Sequence, residues 1–375
     1  MGQKDPFLDR EILGGQFRLV QKIGTGGMGS VYRAVPTHGG ADVAIKILHP
    51  KLAGRTDLTT RFRREARATS TLTHPNTVKV YEYGELPDDG SLYIVMEYLE
   101  GRNLNRAVKR EGPLSVERAV PILIQVCGAL QEAHEKGIVH RDMKPENIFL
   151  SKRGEQTEYP KVLDFGLAKL HENQMRPGSI QLTQEGMVFG TPEFMSPEQA
   201  QGQTLDARSD IYSLAIILYE ALTGKLPFDA RTPMEYIQKH VVAPPIPLHE
   251  RAPERNLPKE LSAVINKALA KSPDDRYPNA IEFARALSVF IGPAAAEYSS
   301  ILSREVAGPL VPVDSAPPTT GFRNYPEVAV SSSPPRPGDS LRPSRSRLAL
   351  MVTIAVAVLV VGTLLAVKLM RLAPQ

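Results

Sequence analysis

Two short stretches place charged and amide side chains between apolar neighbours. In "HRDMKPEN", residues 140–147, Asp142 and Asn147 stand five positions apart on a predicted loop, and Asp164 follows in "VLDFGLA". Unpaired buried charge is unfavourable, so these groups require partners. Carboxylate and amide oxygens are magnesium ligands, and a further carboxylate can accept the proton of a hydroxyl group. The residue types indicate phosphoryl transfer, with Lys144 available to neutralise the migrating group.

A glycine-rich stretch precedes these residues. "GTGGMGSV" places Gly24, Gly26 and Gly29 with Val31 in G-x-G-x-x-G-x-V spacing between two predicted strands. Glycine lets a backbone approach a phosphate closely and direct N–H groups toward it. A dinucleotide-binding fingerprint requires a helix directly after the glycines, whereas "SVYRAV" has the composition of a strand. The pattern favours a hairpin that covers phosphates, and a hairpin that is merely flexible is the alternative.

One lysine interrupts an otherwise apolar predicted strand. Lys46 ends "VAIK", seventeen residues beyond Gly29. A lysine that points inward needs an anion, which Glu65 of the predicted helix 58–72 or a nucleotide phosphate would supply. A solvated lysine at the edge of a sheet is the alternative.

The elements that must position these groups change character along the chain. After residue 101 helices dominate: Pro121 predicts a kink or a restart in a helix that begins near Ser115, and the apolar helix 210–224 is predicted to be buried centrally. A strand-rich part followed by a helix-rich part predicts an α+β fold of two lobes with a cleft between them. The predicted strands, from alternation and β-branched residues, are 16–23, 30–35, 42–48, 77–84 and 91–99.

Composition limits the classes of partner. The net charge is +4, but residues 336–347 contribute +3 and residues 348–375 contribute +2, so residues 1–335 carry about −1. A nucleic-acid partner would need a basic face on the folded part, and none is predicted. The single cysteine, Cys127, excludes an intramolecular disulfide and lies in an apolar run, where it is predicted to pack as a small hydrophobic residue.

The last part of the chain has two unlike segments. Residues 291–347 contain ten prolines and are predicted to form a disordered linker. Residues 348–367 carry no charge, and a helix of that length would span roughly the 30 Å of a bilayer core. Arginines before this span favour a cytoplasmic N-terminal part, with 368–375 as a short outer tail. A small-residue stripe at Ala349, Thr353 and Ala357 makes a homodimer the alternative to a single anchor.

Six motifs in register carry a family resemblance. The glycine loop, "VAIK", "HRDMKPEN", "DFG", "GTPEFMSPE" and "DDRY" occur in this order. The chain resembles a eukaryotic-type (Hanks-type) serine/threonine protein kinase over about 17–290, and it looks most like the bacterial membrane-anchored members. The resemblance implies a bilobal protein-kinase fold, with an N-lobe at 17–97 and a C-lobe at 101–290 after an N-terminal extension, 1–16.

The resemblance also implies an ATP site under the glycine loop. Lys46, paired with Glu65, would hold the α- and β-phosphates, and Met96 would be the gatekeeper before the hinge. The nucleotide-binding residues it implies are Ile23, Gly24, Thr25, Gly26, Gly27, Met28, Gly29, Ser30, Val31, Ala44, Lys46, Met96, Glu97 and Leu99.

The remaining implied roles concern transfer and regulation. Asp142 would accept the proton of the substrate hydroxyl, aided by Lys144, while Asn147 and Asp164 would bind magnesium, with manganese as an alternative. Arg141 implies control by autophosphorylation of the segment 164–198, with Ser179 and Thr183 as candidates. Further implied positions are Thr191 in the substrate loop, Asp210 as a brace of the catalytic loop, and the structural ion pair of Glu198 with Arg276.

Protein serine and threonine residues are the expected phosphate acceptors, because Lys144 and Thr191 match the serine/threonine pattern and not the tyrosine one. Met143 and Ser196 depart from the usual leucine and alanine, but both changes conserve size and leave activity expected. A pseudokinase scaffold is the main alternative, although Lys46, Asp142 and Asp164 are all retained. A membrane receptor with a cytoplasmic docking domain is a further alternative.

Overall fold

The computed structural model describes residues 5–26, 29–48, 56–165 and 191–305, except for the side chains at 56–58, 61, 64 and 65. Several predicted features therefore lie outside the described residues: Gly27, Met28, the side chain of Glu65, Ser179, Thr183, the greater part of the linker and the span 348–367.

The N-lobe is a six-stranded antiparallel sheet in the order β1-β2-β3-β4-β6-β5. Its first strand belongs to the predicted N-terminal extension and pairs with the start of β2. All five predicted strands are present, with ends that differ by a few residues. The strands are β1 Glu11–Ile12, β2 Phe17–Gly26, β3 Gly29–Pro36, β4 Val43–Leu48, β5 Val80–Glu85 and β6 Leu92–Glu97.

The two faces of this sheet have different tasks. Side chains alternate along a strand, so Ile45 and Ile47 point to one face and Ala44 and Lys46 to the other. The isoleucine face packs with Tyr32 and other buried residues into one apolar core. The opposite face is thereby left to carry the lysine toward the second lobe.

Helix α1, Thr56–Ser70, packs on the sheet. Phe62 and Ala66, one turn apart on the same helix face, are buried against Leu48 and Ile94. The helix is therefore packed against β4, the strand that carries Lys46.

The C-lobe is helical and surrounds α5. Helix α3 continues through Pro121 without restarting, and α5 is buried along almost its whole length, ending at Gly224 in the left-handed conformation (φ 70°). The helices are α2 Leu104–Glu111, α3 Val116–Glu135, α4 Pro197–Ala200, α5 Ala207–Thr223, α6 Pro233–Val242, α7 Leu248–Arg251, α8 Lys259–Ala268, α9 Ala280–Ser288 and α10 Ser299–Leu302.

Shorter elements complete the C-lobe. A three-stranded sheet of β7 Gly101–Asn103, β8 Ile148–Arg153 and β9 Gln156–Val162 lies before the second aspartate motif. The 3-10 turns are Pro145–Asn147, Pro192–Phe194, Pro253–Arg255, Pro273–Asp275 and Val289–Tyr298. The predicted division into a β-rich N-lobe and a helical C-lobe is confirmed.

The structure differs from the predicted start of the linker. Residues 289–302 form 3-10 turns and α10, although disorder was predicted from 291. Only Pro293 of the ten prolines lies between 291 and 305, and apolar side chains such as Ile301 pack on the C-lobe core. The prediction of disorder was wrong for the start of the segment, because it was based on the proline content of the whole segment. In the described ranges no helix is long and apolar enough to cross a bilayer.

Candidate active site

The 140–147 loop is held from below by one buried carboxylate. Asp210, near the start of α5, accepts hydrogen bonds from His134 Nε2 (2.7 Å), His140 N (2.8 Å) and Arg141 N (2.9 Å). Burial alone would raise the pKa of Asp210, but these donors outweigh it and lower the pKa. Arg141 adopts a left-handed backbone (φ 68°), which turns the chain so that Asp142 follows at the mouth of the loop.

Asp142, Lys144 and Asn147 form one hydrogen-bonded group. Lys144 Nζ lies 2.6 Å from Asp142 Oδ2, and Asn147 Nδ2 donates to Asp142 O at 2.7 Å. The 3-10 turn at Pro145–Asn147 makes these contacts possible by folding the loop back on itself. The asparagine amide is thus oriented, and its Oδ1 accepts no hydrogen bond from the described residues.

Lys46 meets Asp164 between the lobes, with Nζ 2.8 Å from Oδ1. Asp164 follows β9 in a left-handed conformation (φ 56°). The backbone of Leu163, the preceding residue, is held on both sides: Leu163 N donates to Asn147 O (2.9 Å), and His140 Nε2 contacts Leu163 O (2.8 Å). Burial would raise the pKa of Asp164, but the charge and hydrogen bond of Lys46 lower it below its ordinary value.

The glycine loop is the hairpin of β2 and β3. A β-carbon at Gly29 would lie 2.8 Å from Leu48 Cα, so the packing of β3 on β4 excludes any side chain there. A β-carbon at Gly26 would meet nothing within 4 Å, and one at Gly24 only Val31, at 3.8 Å. Nothing in the described fold requires glycine at 24 or 26, whereas close approach of a bound phosphate does.

The remaining predicted nucleotide residues lie around this hairpin. Val31 pairs with Lys46 across β3 and β4, and Ala44 pairs with Met96 across β4 and β6. Met96 is half-buried beside α1. The other predicted positions in the described part of this region are Ile23, Thr25 and Ser30 at the end of the hairpin and Leu99 after β6.

Glu97 at the hinge has a role that the sequence did not reveal. Its Oε1 accepts from Lys79 N (2.8 Å) and from Lys161 Nζ (2.6 Å). Lys161 belongs to β9 of the C-lobe and also donates to Thr77 O (3.3 Å), so it joins the lobes behind the site. The partners are 64 positions apart, and no local pattern signals such a contact.

Glu198 and Arg276 form a bidentate buried pair, with both N···O distances 2.8 Å. All five N–H donors of Arg276 are used, because three further bonds go to the carbonyl oxygens of Ala270, Arg208 and Lys271. The pair fixes the start of α4.

Gln199, one residue beyond Glu198, was not singled out from the sequence. Its Nε2 donates to Arg141 O at 2.6 Å and connects the 191–198 stretch to the 140–147 loop. Ser196 caps α4 with a reciprocal capping box, and Met143 is buried in the C-lobe core. Thr191 immediately follows the segment outside the described residues, and within the described part its hydroxyl makes no hydrogen bond to Asp142 or Lys144.

A divalent cation fits the oxygen atoms that this arrangement leaves open. Asn147 Oδ1 and the second carboxylate oxygen of Asp164 have no hydrogen-bond partner among the described residues, and the Asp164 side chain is 37% exposed. Magnesium commonly uses one or two protein oxygens together with substrate phosphates. The described ranges contain no group of three or more His, Cys, Asp or Glu side chains that could hold a metal ion.

The chain is similar to known proteins over the two lobes. A family model described as "Protein kinase domain" matches residues 17–285. Serine/threonine-protein kinase pkn3 of Myxococcus xanthus is 41% identical over 268 residues, which cover 72% of this chain and 48% of that protein. Serine/threonine-protein kinase PknB of Mycolicibacterium smegmatis is 42% identical over 272 residues, which cover 72% and 42%.

A solved structure agrees with these relatives. The crystal structure of the Mycobacterium tuberculosis PknI kinase domain aligns with a TM-score of 0.55 and 28% identity, and covers 73% of this chain and 96% of that one. The chain spans less than half the length of the two curated relatives above, so their likeness concerns the shared domain. With the family model matched across both lobes, the chain belongs to the protein kinase domain family.

Proposed function

We propose that the protein is a serine/threonine protein kinase that transfers the γ-phosphoryl group of ATP to hydroxyl groups of proteins. One observation carries the proposal: Lys46 of the N-lobe and Asp164 of the C-lobe pair at 2.8 Å, and the backbone of Leu163 joins them to the loop that holds Asp142. Three groups from distant parts of the chain thus converge between the lobes, where a triphosphate would bind.

Each side chain has one task in the transfer. Lys46 has two further N–H donors for the α- and β-phosphates while one remains on Asp164. Asp142 accepts the proton of the acceptor hydroxyl while the oxygen of that hydroxyl bonds to the γ-phosphorus. The bond between the γ-phosphorus and the bridging β-phosphate oxygen breaks, and its electron pair leaves with ADP. Lys144, 2.6 Å from Asp142, would neutralise charge on the transferred group. Asn147 and Asp164 would hold magnesium, which supplies charge neutralisation at the phosphates when bound.

Two alternatives are disfavoured by specific residues. A pseudokinase scaffold would not need Asn147 and Lys144 to be oriented against Asp142. Tyrosine specificity is disfavoured because Lys144 and Thr191 follow the serine/threonine pattern, and because the curated relatives are named serine/threonine-protein kinases. Autophosphorylation at Ser179 or Thr183 stays a prediction, which mass spectrometry of the active protein tests.

The decisive experiment is transfer from γ-labelled ATP to a generic protein acceptor, followed by acid hydrolysis and separation of the phosphoamino acids. Lys46→Met keeps most of the length of the side chain but removes its charge, so transfer should fall at least about a hundredfold. Lys79→Met, an exposed lysine of the same lobe, is the matched control and should keep wild-type transfer. Label absent from wild-type reactions, or present mainly on tyrosine, would overturn the proposal.

We further propose that residues 348–367 anchor the protein in the cell membrane, the inner membrane of a bacterium with two membranes, with the kinase domain cytoplasmic. Support comes from twenty consecutive residues without charge and from the arginines that precede them. The full chain should stay in the membrane fraction after carbonate washing, and a chain ending at 347 should be released. Release of both would refute the anchor. A span-association reporter with bulky substitutions at Ala349, Thr353 and Ala357 separates a homodimer from a single anchor.

A further inference from the structure

The segment 289–305, called the strap below, lies beyond the family match and packs on the C-lobe. Arg285 donates to Leu302 O (2.7 Å) and to Arg304 O (2.8 Å), and Arg304 Nε donates to Glu135 Oε1 of α3 (3.0 Å). The strap is therefore fixed at its end by two arginines. Its half-buried apolar side chains are Phe290, Ile291, Tyr298, Ile301 and Leu302.

A side chain of the strap and a side chain of the N-lobe both pack on α3 at Gly128, which has no side chain of its own. A β-carbon at Gly128 would lie 2.8 Å from His74 Nε2 and 3.2 Å from Ile301 Cδ1, so both side chains fill the space that glycine leaves. Burial lowers the pKa of His74 to about 4; Glu132 opposes this shift and the charge of Arg304 reinforces it. The imidazole is neutral at physiological pH, accepts a hydrogen bond from Asn76 N at Nδ1 (3.2 Å), and packs on α3 at Gly128, next to Ile301 of the strap.

His74 belongs to the 71–78 loop, which connects α1 to β5. Leu72 of this loop is buried in the C-lobe core. Glu132, one turn beyond Gly128 on α3, accepts hydrogen bonds from Thr73 N (3.0 Å) and His74 N (2.8 Å). The loop is an N-lobe connection that is anchored to the C-lobe through α3.

The end of α1 is connected to the active site. The Thr69 hydroxyl, in the last turn of α1, donates to Phe165 O at 3.2 Å, and Phe165 directly follows Asp164. The Phe165 ring also packs on the His140 ring, with centroids 4.8 Å apart. A displacement of the 71–78 loop would therefore shift α1 against the residues that hold Asp164.

We propose that the strap holds the 71–78 loop against α3 and thereby fixes the C-terminal end of α1 beside the active site. Undocking of the strap would then loosen the 71–78 loop and the end of α1 that lies beside the active site. This proposal rests on the proposed kinase function only where it predicts that undocking of the strap lowers the rate of phosphoryl transfer.

The test uses the full chain and two measurements, amide hydrogen exchange at 71–78 and the transfer rate. Ile301→Asp removes the apolar contact at Gly128, so exchange of the Thr73 and His74 amides should accelerate about five- to tenfold, with a fall in rate of similar size. Val289→Asp places the same change on the strap at a side chain that is 70% exposed, and both readings should stay at wild type. Arg304→Gln, which removes only a partly exposed ion pair, should accelerate exchange about twofold and guards against misfolding of the aspartate variant.

Each outcome has a defined meaning. Faster loop exchange with a lower rate in Ile301→Asp and Arg304→Gln, but not in Val289→Asp, supports the strap. Wild-type exchange in Ile301→Asp and Arg304→Gln overturns it, and so does faster exchange with an unchanged rate. If the wild-type protein transfers no phosphate at all, the proposed function fails, and the exchange readings alone then decide whether the strap holds the loop.

Discussion

Glu198→Gln should destabilise the protein far more than a change from carboxylate to amide does at the surface. The variant leaves the Arg276 charge buried, because the arginine side chain is fully buried and that of Glu198 is 4% exposed. Removing one partner of a buried pair costs about 3–5 kcal/mol. At about 2 °C per kcal/mol for a domain of this size, the midpoint of thermal unfolding should fall by about 6–10 °C.

Urea unfolding at pH 7, followed by circular dichroism, measures this loss. Asp88→Asn is the matched control, because its pair with Arg10 is exposed and should be worth less than about 1 kcal/mol. The double variant Glu198→Gln with Arg276→Met removes both charges of the pair, so it should be more stable than the two separate losses predict. If Glu198→Gln loses no more stability than Asp88→Asn, the buried pair is not what fixes α4.

The pH dependence of the same pair gives a signed check. Burial would raise the pKa of Glu198, but the hydrogen bonds and charge of Arg276 lower it below the ordinary 4.5. A lowered folded-state pKa means that the contribution is complete above the unfolded pKa and is lost as the pH falls through the folded one. The stability difference between wild type and Glu198→Gln should therefore be constant near neutrality and shrink below about pH 4.5.

Three further predictions follow from single positions. Gly26→Ala should raise the KM for ATP severalfold with unchanged urea stability, whereas Gly29→Ala should lower stability by about 1–3 kcal/mol; the reverse order would contradict the assigned roles. Cys127 is buried and its thiol pKa is raised by burial, so a thiol reagent should label it only on unfolding, and rapid labelling of folded protein would refute its packing. Burial would raise the pKa of Glu132, but hydrogen bonds from Lys136 and Thr73 outweigh it and the pKa falls to about 2. Protection of the Thr73 amide against hydrogen exchange should therefore persist above about pH 5 and fade toward pH 2. A loss of protection with its midpoint near pH 4.5 would contradict these hydrogen bonds.

The sequence predicted the elements whose pattern is local. Alternation of apolar and polar residues identified the N-lobe strands, and the all-round apolar character of 210–224 identified α5. Both patterns are local, because the buried positions of a strand or helix recur at a fixed spacing in the sequence. Motif spacing placed Asp142 and Asn147 on one loop. The approach of Asp164 to Lys46 was expected from the family resemblance, since no periodicity links positions 118 residues apart.

The parts that escaped prediction depend on long-range contacts. Lys161 reaches Glu97 across 64 positions, and Arg304 reaches Glu135 across 169, so neither pair has a signal in its own neighbourhood. The order of 291–305 was missed for a related reason. Its few apolar side chains are stabilised by α3 and α9, not by the composition of the segment itself.

The central claim is that Asp142 serves the chemical step while Lys46 and Asp164 hold the nucleotide. The most direct test is the single-turnover rate of phosphoryl transfer by Asp142→Asn, with its Kd for ATP in the presence of magnesium measured on the same preparation. The rate should fall at least about a hundredfold while the Kd stays within about twofold of wild type, and Asp88→Asn should change neither. Transfer by Asp142→Asn at the wild-type rate, or a loss of rate accounted for by lost ATP binding, would contradict the assignment.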